Sequence, residues 1–511
     1  MRREACRFIS KILLGTVAMS VVTIGSGGTV SVSADDKTKG KDKEVTLRIC
    51  NWEEYIDEGD WDEEEKIELE DGTVIFGENN ILDDFTEWYY DTYGVVVNVE
   101  YSTFGTNEEL YNQLNLGDVY DLVCPSDYMI MKLMVDEEVE PFDKSFFDES
   151  NELNYYVKGV SPYIKNEFEK NKINGEPWSK YAAGYMWGVT GIVYNPDEVT
   201  YEEASTWSIL QNEKFNRQVT IKDNVRDAYF AAMGIYKKDL LMDKSFTESD
   251  NYHDELSKCM NDVSKDTIDD VEDVLKDIKD NVYSFETDSG KSDMVTGKVV
   301  ANFQWSGDAV YALDQADEDD FYLEFAVPKE CSNLWFDGWV MLKKGIGQDE
   351  DKKQAAQAFV NFMSRPDNVV RNMYYIGYTS VISGGDDSTV FDYAKYCYEA
   401  EEESEDNIAY DVSYFFGNDS DEEYIIEAEP DAMRRQLFAQ YPTKEVIARS
   451  AIMNYFDDDA SVNINQMWIN VRCFDLKDIP ESVKGMLILV FVIPLVVIKI
   501  KYGGYRRRIS S

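Results

Sequence analysis

Apolar residues alternate with polar ones from Val45 to Cys50, and the alternation stops at Asn51-Trp52-Glu53-Glu54-Tyr55. That period predicts a strand whose carboxyl end carries aromatics interleaved with two acids. From Asn80 to Tyr93 the spacing becomes helical, with Ile81, Leu82, Phe85, Trp88 and Tyr89 apolar and Gly94 placed to stop the helix. Val95 to Tyr101 alternates again, Asn107 to Leu116 is helical, and Tyr120 to Cys124 reads as a short buried strand. The order βαβαβ predicts the start of a doubly wound α/β lobe. Its last strand runs into Pro125-Ser126-Asp127-Tyr128, a second strand end carrying a hydroxyl, an acid and an aromatic.

A second βα series follows a long predicted strand, Tyr185 to Asn195. It comprises a strand at Val219 to Lys222, a helix at Val225 to Tyr236, a strand at Val299 to Trp305, a helix at Asp308 to Gln315 and a strand at Phe321 to Val327. Trp335 to Leu342 is again a strand, and two helices broken at Arg365-Pro366-Asp367 run on to Ile376. The acidic stretch Asp57 to Asp71 is expected to be a surface insertion, and Asp386 to Glu429 a loop or edge elaboration.

A chain of 511 residues, 44% hydrophobic and 14% aromatic, can pack two or more domains. Its 100 acidic against 50 basic residues give a net charge of −50, which repels nucleic acid and excludes it as a partner. The ends change the picture. Arg2, Arg3, Arg7 and Lys11 precede an apolar run from Ile12 to Ile24, and Val32-Ser33-Ala34 has the form of a cleavage site, so residues 1–34 are expected to be a signal peptide. Gly485 to Ile498 is uncharged and is followed by a basic tail. With snorkelling Lys484 and Lys499 it predicts a transmembrane helix over 483–502, a stalk over 474–482 and a cytoplasmic tail over 503–511. The six cysteines beyond the leader show no metal spacing, and of them only Cys50 and Cys124, on strands expected to be neighbours, suggest a disulfide.

Ligand crevices in open α/β sheets lie at the carboxyl ends of strands. An aromatic face beside a carboxylate suits an organic ammonium, by cation–π attraction and by charge. Each motif also has a plainer explanation: Trp52 and Tyr55 as core aromatics, Glu53 and Glu54 as a solvated turn, Ser126-Asp127 as a helix cap.

The order "ICNWEEYI", "YDLVCPSDYMIMKL", "YMWGVTGIVYN", "TWSIL", "IKDNVRDAYFAAM", "FQWSGDAVYAL", "LWFDGWVML", "NFMSRPDNV", "YIGYTS" resembles the spermidine/putrescine-binding component of ABC polyamine importers across residues 45–380. The resemblance implies an α/β, two-lobed periplasmic-binding-protein-like fold of the second type, hinged around its ligand. Lobe 1 would comprise 35–190 and 333–380, and lobe 2 191–332 and 381–473. The family's ligand contacts fall on Trp52, Glu53, Tyr55, Ser126, Tyr128, Asn224, Asp227, Trp305, Trp335, Asp337 and Tyr378, to which the strand-end reading adds Asp127. With the signal peptide and C-terminal helix read from the ends of the chain, the protein is expected to be a monomer, exported and held at the outer face of the cytoplasmic membrane. There it would pass a polyamine to permease subunits, with no cofactor and no metal. Glu53 stands where a threonine is common, Asn224 where an acid can stand, and Asp227 is one methylene shorter than the usual glutamate.

Two alternatives stay open on the sequence. One is a binding protein for another cationic or small organic solute; the other is a secreted glycoside-acting enzyme using paired carboxylates. An enzyme finds little support, because His253 is the sole histidine and no HExxH, GxSxG or P-loop is present.

Overall fold

The computed structural model describes residues 43–417 and 423–473. The signal peptide, stalk, transmembrane helix and basic tail expected from the sequence lie outside the described residues, as do Asp419 and Asp421. Among the described residues no helix is long and apolar enough to cross a membrane.

The first strand, Glu44–Trp52, lies between two parallel neighbours, Val96–Phe104 and Leu122–Val123. Its alternation is used as the sequence predicts: Val45, Leu47 and Ile49 are buried. The helix Ile81–Tyr93 connects the first two of these strands, burying Ile81, Phe85 and Tyr89 at fourfold spacing. Asn80 caps it by accepting the Leu82 N–H at 2.9 Å, and Gly94 ends it in the left-handed conformation that glycine adopts without strain.

Two long, wholly buried strands then carry the chain between halves. Ala182–Tyr194 and Ser332–Leu342 run antiparallel to each other. At one end, Val340 and Met341 pair with Val123 and Leu122 of the first half. At the other, Thr190 to Tyr194 pairs with the strand Ala301–Trp305, which begins a second parallel set with Val219–Lys222 and Ser284–Glu286. The carboxyl ends of both parallel sets deliver their side chains to the crossover strands, as the topology of such sheets requires.

The 17-residue helix Lys265–Asn281 and the edge strand Ser284–Glu286 are additions to the predicted elements. The helix packs against a C-terminal helix, Asp458–Arg472, whose first turn Asp457 caps through the Ala460 N–H at 2.8 Å.

Three expectations need correcting. The Asp57 to Asp71 stretch is not wholly surface: Asp57, Trp61, Glu65, Ile67 and Leu69 are buried. The burial of Asp57 is offset by Arg371, whose guanidinium pairs with it while Trp61 Nε1 donates to the same carboxylate at 3.1 Å. Of the two forms expected for 386–429, a loop or an edge elaboration, the described residues are not a loop, because a helix (Thr389–Tyr398) and a hairpin (Ile408–Asp411 with Ile425–Ala428) enclose Phe391, Phe415 and Phe416. Cys50 and Cys124 are free thiols. Cys50 faces Val123 across the parallel pair, so Cys124 is one residue out of step and leaves the opposite side of the sheet.

Candidate functional site

The crossover strand Ser332–Leu342 carries the centre of the site. Its pairing with Ala182–Tyr194 shifts register between Asp337 and Gly338, a bulge of the kind that re-aims a side chain. Asp337 is buried, and its carboxylate accepts two hydroxyls, Ser126 Oγ at 2.7 Å and Tyr55 Oη at 2.8 Å. Burial raises its pKa to about 6, with those two hydroxyls offsetting part of the rise. Among the described residues no cationic side chain pairs with it in a salt bridge.

Tyr55 reaches Asp337 because Glu54 takes a left-handed backbone conformation, φ 52°, turning the chain inward after Trp52. Its ring packs edge-on against Tyr185 and Tyr378, at centroid distances of 5.5 and 5.0 Å. Trp335 lies 5.9 Å from Tyr378, and its buried indole N–H has no protein partner among the described residues. Gly188 is required beneath it, since a Cβ there would come within 2.7 Å of the indole and 2.2 Å of Ser306 Oγ. Tyr55, Ser126, Trp335, Asp337 and Tyr378 are thus brought together.

The second half contributes Asp227 and Trp305. The Trp305 indole N–H lies 3.4 Å from Asp227 Oδ1, and burial raises the Asp227 carboxyl to about 6 despite Trp305 and Lys222. Asn224 caps the helix Val225–Tyr236, accepting the Arg226 N–H at 2.8 Å and the Asp227 N–H at 3.4 Å. Between the halves, the Arg226 guanidinium stacks 4.2 Å from the Tyr128 ring and 3.6 Å from that of Phe456. Tyr128 also takes a hydrogen bond from Asn107 Nδ2 at 2.9 Å.

Three other predicted residues stand apart from this cluster. Asp127 accepts the Tyr128 and Phe336 N–H groups, at 2.6 and 3.1 Å, and so clips the helix Asp127–Val135 to the crossover strand. Trp52 is half-buried against Phe104, 4.7 Å between centroids, and Glu53 is exposed.

Asp308 was not anticipated. It sits one turn into the helix Ser306–Glu318, accepts the Tyr378 hydroxyl at 2.9 Å, and meets Lys222 and Lys291 at 3.4 Å each. Burial alone would raise its pKa, but the two lysines outweigh burial and hold the carboxyl below its usual value. The signal was its position three residues after Trp305 in "FQWSGDAV". Glu54 joins from the first half, its carboxyl raised by burial and eased by Lys291.

Two α/β halves, crossed by two strands and meeting over a buried acid with aromatic walls, define a protein that holds a small solute. The chain belongs to the bacterial extracellular solute-binding protein family, whose model matches residues 80–394. It is 24% identical over 336 residues to the spermidine/putrescine-binding periplasmic protein of Salmonella typhimurium, covering 65% of this chain and 76% of that one. The putrescine-binding periplasmic protein PotF of Escherichia coli is 25% identical over 379 residues, 72% of this chain and 84% of its own. Among solved structures, the spermidine/putrescine ABC transporter substrate-binding protein PotD of Streptococcus pneumoniae superposes with a TM-score of 0.53 at 21% identity, covering 84% of this chain and 98% of that one. The TpPotD lipoprotein of Treponema pallidum gives 0.53 at 16% identity, covering 84% and 99%. These neighbours establish the mixed α/β periplasmic-binding-protein-like fold.

Proposed function

We propose that this protein captures a polyamine, spermidine or putrescine, between its halves and delivers it to the permease of an ABC importer. The observation that carries this is Asp337: a buried carboxylate held by two hydroxyls, walled by Tyr55, Trp335 and Tyr378, with no cationic side chain among the described residues in a salt bridge with it. A buried charge left without a partner is costly, and a ligand ammonium would supply one. The names of the Salmonella and Escherichia coli relatives point the same way.

In this reading Asp337 and Asp227 hold ammonium groups, while Tyr55, Tyr128, Trp305, Trp335 and Tyr378 enclose the methylenes between them. Ser126 orients Asp337, Trp52 and Glu53 border the entrance, and Asn224 and Asp127 fix the helix and strand that carry the contacts. Lobes 35–190 with 333–380 and 191–332 with 381–473 close on one another about the crossover strands. Export by residues 1–34 and retention by 483–502 rest on the charge and hydropathy of the sequence.

Calorimetric titration of the purified protein with putrescine, spermidine, cadaverine and glycine betaine tests the proposal. Heat is expected with the primary amines and none with betaine, whose quaternary nitrogen has no N–H to donate to Asp337. Binding of betaine alone, or of none of the four, would refute it.

A further inference from the structure

Lys222 is the last residue of the Val219–Lys222 strand, beside the strand that ends in Trp305, and its side chain is fully buried. Its ammonium donates to the Thr287 carbonyl at 2.8 Å, lies 3.4 Å from Asp308 Oδ2 and 3.6 Å from Glu286 Oε1, and sits 4.3 Å from the centroid of the Trp305 ring. This is the arrangement a ligand ammonium would seek, an aromatic face with a carboxylate beside it, and the protein fills it with its own cation. Lys291 reaches the other oxygen of Asp308 at 3.4 Å, so that acid faces two protein cations. Both lysines are in turn engaged by carboxylates, which makes them poor receptors for an anionic group on a ligand. Asp337 is held by the Tyr55 and Ser126 hydroxyls and has no such cationic partner among the described residues.

We propose that Lys222 is a specificity-determining residue, a built-in cation that occupies the Trp305 face and Asp308, so that the site accepts a short diamine and disfavours a longer triamine. The inference rests on the polyamine reading above. A diamine places one ammonium at Asp337 and the other toward Asp227. The additional ammonium of a triamine would arrive beside Lys222, where that face of the Trp305 ring is taken, leaving the other face to pack on methylenes, the nearest carboxylate is neutralised and like charges repel. Replacing Lys222 by methionine keeps an unbranched side chain one atom shorter while vacating both partners of the charge.

Putrescine and spermidine are titrated calorimetrically into the full chain as wild type, Lys222→Met and Lys222→Arg, with thermal melting of each. Wild type is expected to bind putrescine at least tenfold more tightly than spermidine. Lys222→Met should move that ratio at least tenfold toward spermidine, and Lys222→Arg, which keeps the charge, should leave putrescine preferred. Equal or tighter binding of spermidine by wild type overturns the inference, as does a Lys222→Met protein that melts cooperatively and changes both affinities by the same factor. If Lys222→Met does not fold, Lys222→Gln, which keeps a polar donor for the Thr287 carbonyl and removes the charge, takes its place with the same expected and overturning results. Failure of wild type to bind either amine refutes the polyamine reading itself, whereas binding without preference refutes only the role of Lys222.

Discussion

Tyr55 and Asp337, 282 positions apart in the chain, are joined by a 2.8 Å hydrogen bond from phenol to carboxylate. One stands just past the end of the first strand and the other at a bulge in a crossover strand, so the bond ties the first half of the molecule to the path between halves. Because the Tyr55 and Ser126 hydroxyls are the donors, they orient the carboxylate without cancelling its charge.

Asp337→Asn preserves shape and removes that charge. Truncating one partner of a buried charge pair costs ~2–5 kcal/mol, so polyamine affinity should fall on the order of a hundredfold. Cooperative melting should be retained, because the hydroxyls can rotate to suit an amide. Calorimetry that finds unchanged affinity in a folded variant would place the charge anchor elsewhere.

Arg226 joins the halves from the other side, stacked on Tyr128 and bonded to the Asn454 carbonyl. A desolvated cation–π contact is worth ~2 kcal/mol, so Arg226→Ala should weaken polyamine binding roughly thirtyfold if the contact belongs to the closed form. Small-angle scattering at saturating ligand should then show a larger radius of gyration than wild type. A loss of melting temperature with unchanged affinity would make Arg226 a purely structural residue.

Much of this was legible because local pattern and tertiary use agree. The strands at Val45, Val219 and Trp335 and the helices at Ile81, Asn107 and Val225 stand close to where periodicity puts them. Trp335 and Asp337, two apart in a strand, share a side, and Tyr55 and Tyr378 complete their enclosure. What failed to show was charge placement. Lys222 closes an otherwise ordinary β-branched strand, and nothing local distinguishes a lysine that snorkels to water from one buried over an indole. Asp57 was hidden in the same way, since an acidic run gives no sign that one of its members meets Arg371, 314 residues away. The helix Lys265–Asn281 was obscured by its many acids, although Ile268, Val271, Leu275 and Ile278 keep helical spacing.

The Asp57–Arg371 pair supports the fold around Tyr55. The Arg371 side chain is only 5% exposed and also bonds Asp84 at 2.5 Å and the Asn79 carbonyl. Arg371→Met would strand a buried carboxylate, and breaking a buried pair from one side costs ~3–5 kcal/mol. Urea unfolding should show a loss of unfolding free energy of that size, read as the midpoint shift multiplied by the m-value. A change below ~1 kcal/mol would mean that Asp57 is reached by water once the arginine is gone.

Acidity should move ligand-free stability and ligand binding in opposite directions. Burial raises the Asp337 and Asp227 carboxyls from 3.8 to about 6, with the Ser126 and Tyr55 hydroxyls at one, and Trp305 and Lys222 at the other, offsetting part of the rise. With the folded-state values above the unfolded ones, the folded chain binds more protons between about pH 4 and pH 6 than the unfolded chain does. These two groups therefore make the ligand-free protein less stable as pH rises through that window, on the order of 3 kcal/mol each. The contribution is fully present below the window and lost above it. An ammonium ligand needs the ionised carboxylates, so its binding expels protons near pH 6 and its affinity falls on acidification. Other acids titrate in the same range, and the difference between wild type and Asp337→Asn isolates the effect. Melting of both proteins at about pH 4.5, 6 and 7.5, with and without saturating putrescine, should show a ligand-induced rise in Tm that grows with pH in wild type and grows less in the variant. A rise independent of pH would show that neither carboxylate changes protonation when the amine binds.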